Sequence, residues 1–126
     1  MPAERKVAMR GKKTALIVDD DNLSGRVLDA VLLSSGYQIE RAESGGAALT
    51  LAAEHCFDVI VAGYWIEDMN GPDLVGRLRE RCPGSFIIGT SQEGRGAEFI
   101  KAGADGFLRK PFGFRELDSL LWGASS

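Results

Sequence analysis

Apolar residues fall along this chain in short runs of strand length, each followed by a stretch in which they return at helical spacing. Thr14 to Val18 (TALIV) is β-branched and apolar, and it ends abruptly in Asp19, Asp20 and Asp21, as a buried parallel strand emptying into a polar loop would. Leu23, Val27, Leu28, Val31 and Leu32 then recur as one helix face, with Asp21 or Asn22 placed to cap its start and Gly36 to end it. Tyr37 to Arg41 alternates as a second strand. Ser44 stands as the cap of a second helix with Ala47, Ala48, Leu51 and Ala52 on its inner face. Phe57 to Ala62 (FDVIVA) is a third strand. After the loop Gly63 to Gly71, Pro72 stands where a first helical residue belongs, with Leu74, Val75 and Leu78 facing inward. Ser85 to Thr90 gives a fourth strand, Ala97, Phe99 and Ile100 a short helix ending at Gly103, Asp105 to Arg109 a fifth strand, and Phe114 to Trp122 a last helix.

Alternation of this kind predicts an α/β fold: a five-stranded parallel sheet, joined by right-handed crossovers, with helices on both faces. In such a doubly wound sheet a ligand site lies outside the carboxyl ends of the strands. The expected domain covers residues 14–122. Residues 1–13, basic through Arg5, Lys6, Arg10, Lys12 and Lys13, read as a flexible leader, and residues 123–126 as a tail or the start of a linker.

Composition narrows the class. With 126 residues and 44% hydrophobic content the chain fits one compact domain and leaves no room for a second. A formal charge of −3 supplies no general attraction to nucleic acid or to an anionic membrane, and no apolar run approaches the roughly 20 residues of a membrane helix. The expectation is a cytoplasmic domain without nucleic-acid or membrane contact of its own. Cys56 and Cys82 are too far apart in sequence for a close zinc pair, and His55 is the only histidine, so the two read as separate buried or half-buried thiols in a reducing compartment.

Strand position brings five residues to one sheet edge: Asp19 and Asp20 after the first strand, Gly63 after the third, Thr90 after the fourth and Lys110 after the fifth. Adjacent carboxylates facing a lysine and a hydroxyl suit a hard divalent cation beside a phosphoryl group, the acids holding the metal and Lys110 and Thr90 the phosphoryl oxygens. Plainer roles exist for each: the acids can cap the first helix, Thr90 can end a strand, and Lys110 can be a solvated charge.

The blocks ALIVDDD, FDVIVAGYWIEDMNG, IIGTS and KAGADGFLRKPF, in that order and spacing over residues 14–122, resemble the signature blocks of response regulator receiver domains in two-component (phosphorelay) signalling. The resemblance implies a flavodoxin-like (βα)5 sheet of order 2-1-3-4-5 and a non-enzymatic switch, in which an aspartate at the end of the third strand accepts a phosphoryl group from a histidine kinase with Mg2+ bound. Here that place, six residues before Met69-Asn70-Gly71, is Gly63. Glycine has no side chain to form an acyl phosphate, so the usual carboxylate nucleophile is missing. The family also holds Mg2+ with that aspartate and a backbone carbonyl two residues on, here Trp65, so weak Mg2+ binding by Asp19 and Asp20 is expected, and Lys110 is free to neutralise one of them.

The resemblance further makes Thr90 and Phe107 the switch residues and Lys110-Pro111 a cis peptide, while core packing is the plainer role of Phe107. It implies protein partners: a histidine kinase, an output domain, or a second copy through the face of the fourth helix, fifth strand and fifth helix. The segment from Thr90 to Gly103 is shorter than the family pattern, and Gly89, Gly94 and Gly96 suggest mobility there. Trp65 and Trp122 read as packing or interface residues. The expected function is a pseudo-receiver, a partner-binding or dimerisation module independent of phosphorylation. The alternatives are a phosphorylatable receiver in which Gly63 is an engineered or compensated replacement, and a haloacid dehalogenase-type phosphatase built on Asp19 and Asp21.

Overall fold

The computed structural model of the chain describes residues 13–19 and 22–125. The expected leader up to residue 12, the second acid Asp20, the alternative cap Asp21 and the last tail residue lie outside the described residues. Five strands, β1 (Lys13–Val18), β2 (Tyr37–Arg41), β3 (Val59–Gly63), β4 (Phe86–Ser91) and β5 (Gly106–Arg109), alternate with five helices, α1 (Asn22–Ser34), α2 (Gly45–Glu54), α3 (Gly71–Arg81), α4 (Gly96–Ala102) and α5 (Phe114–Ser125). The strands form one parallel sheet in the order β2-β1-β3-β4-β5, as the alternation predicts. Lys13 opens β1 instead of ending the leader, its ammonium 5.6 Å from the centre of the Tyr37 ring.

Each face of the sheet carries its own core. Leu16, Ile60 and Ile87 bury against Leu74, Leu78 and Phe99 on one side, while Ile17, Val61 and Ile88 bury against Leu28, Leu32 and Leu117 on the other. Burial on both faces is why the central strands read as unbroken apolar runs. Ser44 accepts from the Ala47 amide to cap α2, and Asn70 accepts from the Asp73 amide to cap α3, with Pro72 in the first turn. Gly36 and Gly103, at φ 89° and 118°, supply the left-handed residues that end α1 and α4.

Several readings are corrected. Asp58 precedes β3 because it is taken by the start of β1, donating to the Thr14 carbonyl and accepting from the Thr14 amide; the strand therefore begins at Val59 and includes Gly63. Ala47 faces outward, leaving Ala48 and Ala52 to seat α2 with Leu51 partly buried beside them, while Phe99 is the buried residue that seats α4. Gly89 belongs to buried β4, not to a mobile segment: the Phe99 ring lies inside contact distance of where its Cβ would stand, and also crowds Gly71. Of the two roles read for Trp65 and Trp122, packing or interface, exposures of 69% and 80% remove core packing and leave the other open. Cys56 and Cys82 are not separate thiols; they are joined as a disulfide, because the turn entering β3 and the C-terminal cap of α3 meet at the sheet edge where the strands start.

Two polar devices hold the loops. Arg79 near the end of α3 donates to the carbonyls of Gly103, Pro83 and Ser85 and pairs with Asp105 at 2.6 Å. Asp68, in the β3–α3 loop, accepts from the Gly45 and Gly46 amides at 2.7 and 2.9 Å, tying that loop to the N-terminus of α2. Those backbone bonds hold its carboxyl below the ordinary value.

Replacing Gly89 by alanine is expected to cost about 1–3 kcal/mol in urea unfolding, because the new methyl enters space held by the buried Phe99 ring; combining it with Phe99→Leu should recover part of the loss. For Asp68 the folded-state pKa is depressed, so its contribution to stability is present above the unfolded value and is lost as pH falls through the folded one. Asp68→Asn keeps an acceptor for only one of the two amides, so it should melt lower than the natural chain near neutrality, and the difference should close below about pH 4.

Candidate functional site

Four elements deliver Asp19, Gly63, Thr90 and Lys110 to one place. Val18 pairs with Ala62 and Gly63 with Thr90, so Asp19, leaving β1, stands beside the last residue of β3 and across it from β4. Lys110 follows β5 and is aligned by its amide donating to the Ser91 carbonyl at 2.8 Å; the Lys110-Pro111 peptide is cis. The Thr90 hydroxyl donates to Asp19 Oδ2 at 2.8 Å, and Lys110 Nζ lies 2.9 Å from Oδ2 and 3.0 Å from Oδ1. The side chains of Asp19 and Lys110 are only 5% and 12% exposed, so the pair is withdrawn from water and needs its partners in place.

Gly63 makes this arrangement geometrically available. A Cβ on residue 63 would meet the Asp19 carboxyl carbon at 3.0 Å and its oxygens at 3.1 and 3.2 Å. Asp19 thus leans into the space a side chain there would use, and the hydroxyl and ammonium converge on it. The Lys110 ammonium thus sits against both oxygens of the carboxylate, occupying part of its acceptor capacity.

Open clefts flank Asp19. One of about 300 Å³ is lined by Tyr64, Trp65, Thr90, Gln92 and Lys110; another of about 390 Å³ is lined by Glu43, Trp65, Ile66 and Glu67. Trp65 lies between them, its backbone bridged to Asn70, and the Gly71 amide donates to the Tyr64 carbonyl at 2.7 Å. The indole projects out and the carbonyl belongs to the loop that Asp68 anchors.

The residues that sequence reading missed lie behind this loop. The Arg95 guanidinium sits 4.2 Å over the Tyr64 ring and 5.7 Å from that of Trp65. Arg95 donates to the Tyr64 oxygen and pairs with Glu98, and Tyr64 donates to Glu98, closing a three-member ring of polar contacts. Desolvation, then the bond to Glu98, holds the Tyr64 hydroxyl above its ordinary value, while the bond to Glu98 does the same for Arg95. Phe99 packs edge-on to Tyr64 at 6.1 Å and against Phe107 at 5.7 Å; Phe107 is half-buried over Gly96. Glycines inside an apolar strand, such as Gly89, are the sequence signal that could have located Phe99.

The sequence profile of the response regulator receiver domain matches residues 15–121. Among curated proteins, the transcriptional regulatory protein KdpE of Mycobacterium tuberculosis is 35% identical over 103 residues, covering 80% of this chain and 46% of that protein. CusR of Escherichia coli, also a transcriptional regulatory protein, is 33% identical over 105 residues, covering 81% and 46%. The chain spans about half the length of these relatives. Among solved structures, a response regulator from Chloroflexus aurantiacus described as putative matches with a TM-score of 0.81 at 29% identity, covering 90% of this chain and 97% of its own. The chemotaxis protein CheY4 of Vibrio cholerae matches with a TM-score of 0.79 at 28% identity, covering 90% and 99%. A profile that spans nearly the whole chain, relatives above 30% identity and the observed sheet order agree: this chain belongs to the response regulator receiver domain family, whose members act as non-catalytic signalling modules.

Proposed function

We propose that this receiver domain signals without an acyl phosphate at position 63 and that Asp19 acts as a built-in anionic plug for the pocket. One observation carries the reading: the Asp19 carboxylate fills the space beside Gly63 and engages both Thr90 and Lys110, the groups that the family resemblance assigns to phosphoryl oxygens. A hydroxyl and an ammonium already satisfied by a resident anion have little to gain from an incoming one. The domain then serves as a partner-binding or dimerising module whose state is set by folding and contacts. Its partners are a histidine kinase, an output domain, or a second copy through α4, β5 and α5. Mg2+ binding is weak, because Gly63 adds no carboxylate and Lys110 competes for Asp19; the family resemblance assigns the further oxygens to Asp20 and the Trp65 carbonyl.

The same geometry favours a second reading, in which Asp19 is itself the phosphorylated acid. Acetyl phosphate with Mg2+, followed by intact mass, separates the two. The natural chain should gain no phosphoryl group, while Gly63→Asp, whose Cβ would press on the Asp19 carboxylate at 3.0–3.2 Å and whose own carboxylate supplies the missing acceptor, should gain one. A phosphoryl adduct on the natural chain removes the first reading and supports the second.

The plug also predicts a response at Lys110. Lys110→Ala leaves a buried carboxylate short of its cation and should cost roughly 3 kcal/mol in denaturant unfolding. It should also tighten Mg2+ binding, followed by fluorescence of Trp65 at the pocket rim. If stability and Mg2+ affinity are both unchanged, the pairing has no energetic role.

A further inference from the structure

We propose that Cys56 and Cys82 form a reversible thiol–disulfide site that stiffens the segment carrying the pocket floor, giving this domain an input separate from any phosphoryl chemistry. The two residues are 26 apart in sequence, yet their Cα atoms are 5.6 Å apart, inside the range a disulfide spans without backbone movement. Their surroundings are unequal. Cys56 is exposed in the turn between α2 and β3, whereas Cys82 is 1% exposed, packed in the core on the α3 side of the sheet, with its amide donating to the Leu78 carbonyl as the cap of α3.

This asymmetry gives an order of events with a low-molecular-weight disulfide as oxidant. The exposed Cys56 thiolate attacks one sulfur of the oxidant, expelling the first small thiolate and leaving a mixed disulfide. The Cys82 thiolate, already within reach, attacks the Cys56 sulfur and expels the second. Two protein thiols are oxidised, one small disulfide is reduced to two thiols, and the two protons pass to those products or to solvent. A dithiol reductant runs the sequence backwards through the same accessible sulfur.

The loop closed by this bond contains β3 with Gly63, the Tyr64–Trp65 corner, the Asp68 anchor and the whole of α3. Crosslinking its ends removes conformations from the unfolded chain and resists local opening in which α3 peels from the sheet. Cys56 and Cys82 lie at the start of the strands, remote from Asp19, so the effect reaches the pocket through the closed segment. The proposal stands whether or not the pocket takes a phosphoryl group.

The test starts from the reduced full chain treated with oxidised glutathione. Intact mass should fall by two hydrogens, neither cysteine should then react with an alkylating reagent, and the melting temperature should rise by on the order of 10 °C. Deuterium uptake should fall across residues 57–81, and dithiothreitol should reverse every change. Cys56→Ser, made at an exposed position, should fold and show none of these responses. A persistent glutathione adduct on Cys56, a crosslink between two chains, two thiols still open to alkylation, or an intramolecular bond with no change in melting or exchange would each overturn the proposal.

Discussion

The pocket is organised around the need of one withdrawn carboxylate, Asp19, to have its charge answered. Lys110 answers it with an ammonium at 2.9 Å and Thr90 with a hydroxyl at 2.8 Å, and residue 63 adds no side chain to crowd the space they share. The arrangement depends on sheet register: β1, β3, β4 and the turn after β5 must end at matching heights for three side chains from distant parts of the sequence to touch. In a poorly solvated site the absence of any one member leaves an unbalanced charge or an idle donor. The constraint therefore binds the chemistry of the site to the alignment of the whole sheet.

A second constraint runs behind the first. Phe99 fills the room opened by Gly89 and Gly71 and touches Tyr64 on one side and Phe107 on the other. Arg95 covers the same tyrosine from outside, bonded to Glu98 within α4. The short connection after β4 is thus held by stacking and charge, and its glycines give space to an aromatic ring instead of freedom to the backbone. The side chains that frame Thr90 and Phe107 belong to this cluster.

Much of the fold was legible in the sequence because burial on both faces writes itself as uninterrupted apolar runs, and because Ser44, Pro72 and Gly103 mark helix ends by local chemistry. The convergence of Asp19, Gly63, Thr90 and Lys110 was legible too, since in a parallel sheet the end of each strand fixes where the next residue goes. What escaped were contacts that depend on how one helix sits against another. Nothing local in Phe99 says that it will lie over Gly89. Nothing in the 26-residue separation of Cys56 and Cys82 says that the cap of α3 returns to the entrance of β3. Whether Trp65 and Trp122 pack or stand at the surface was left open for the same reason: the choice depends on neighbours that the local sequence does not name.

Arg79 shows how far a single side chain can carry such a contact. Its guanidinium grips the carbonyl of Gly103 at the end of α4, the carbonyls of Pro83 and Ser85 leading into β4, and the carboxylate of Asp105 before β5. The tail of α3 and the hinge between α4 and β5 are therefore yoked. A partner that tilts α4 must drag α3 with it or tear the yoke apart, so a push on the outer helix arrives as leverage on the neighbouring one.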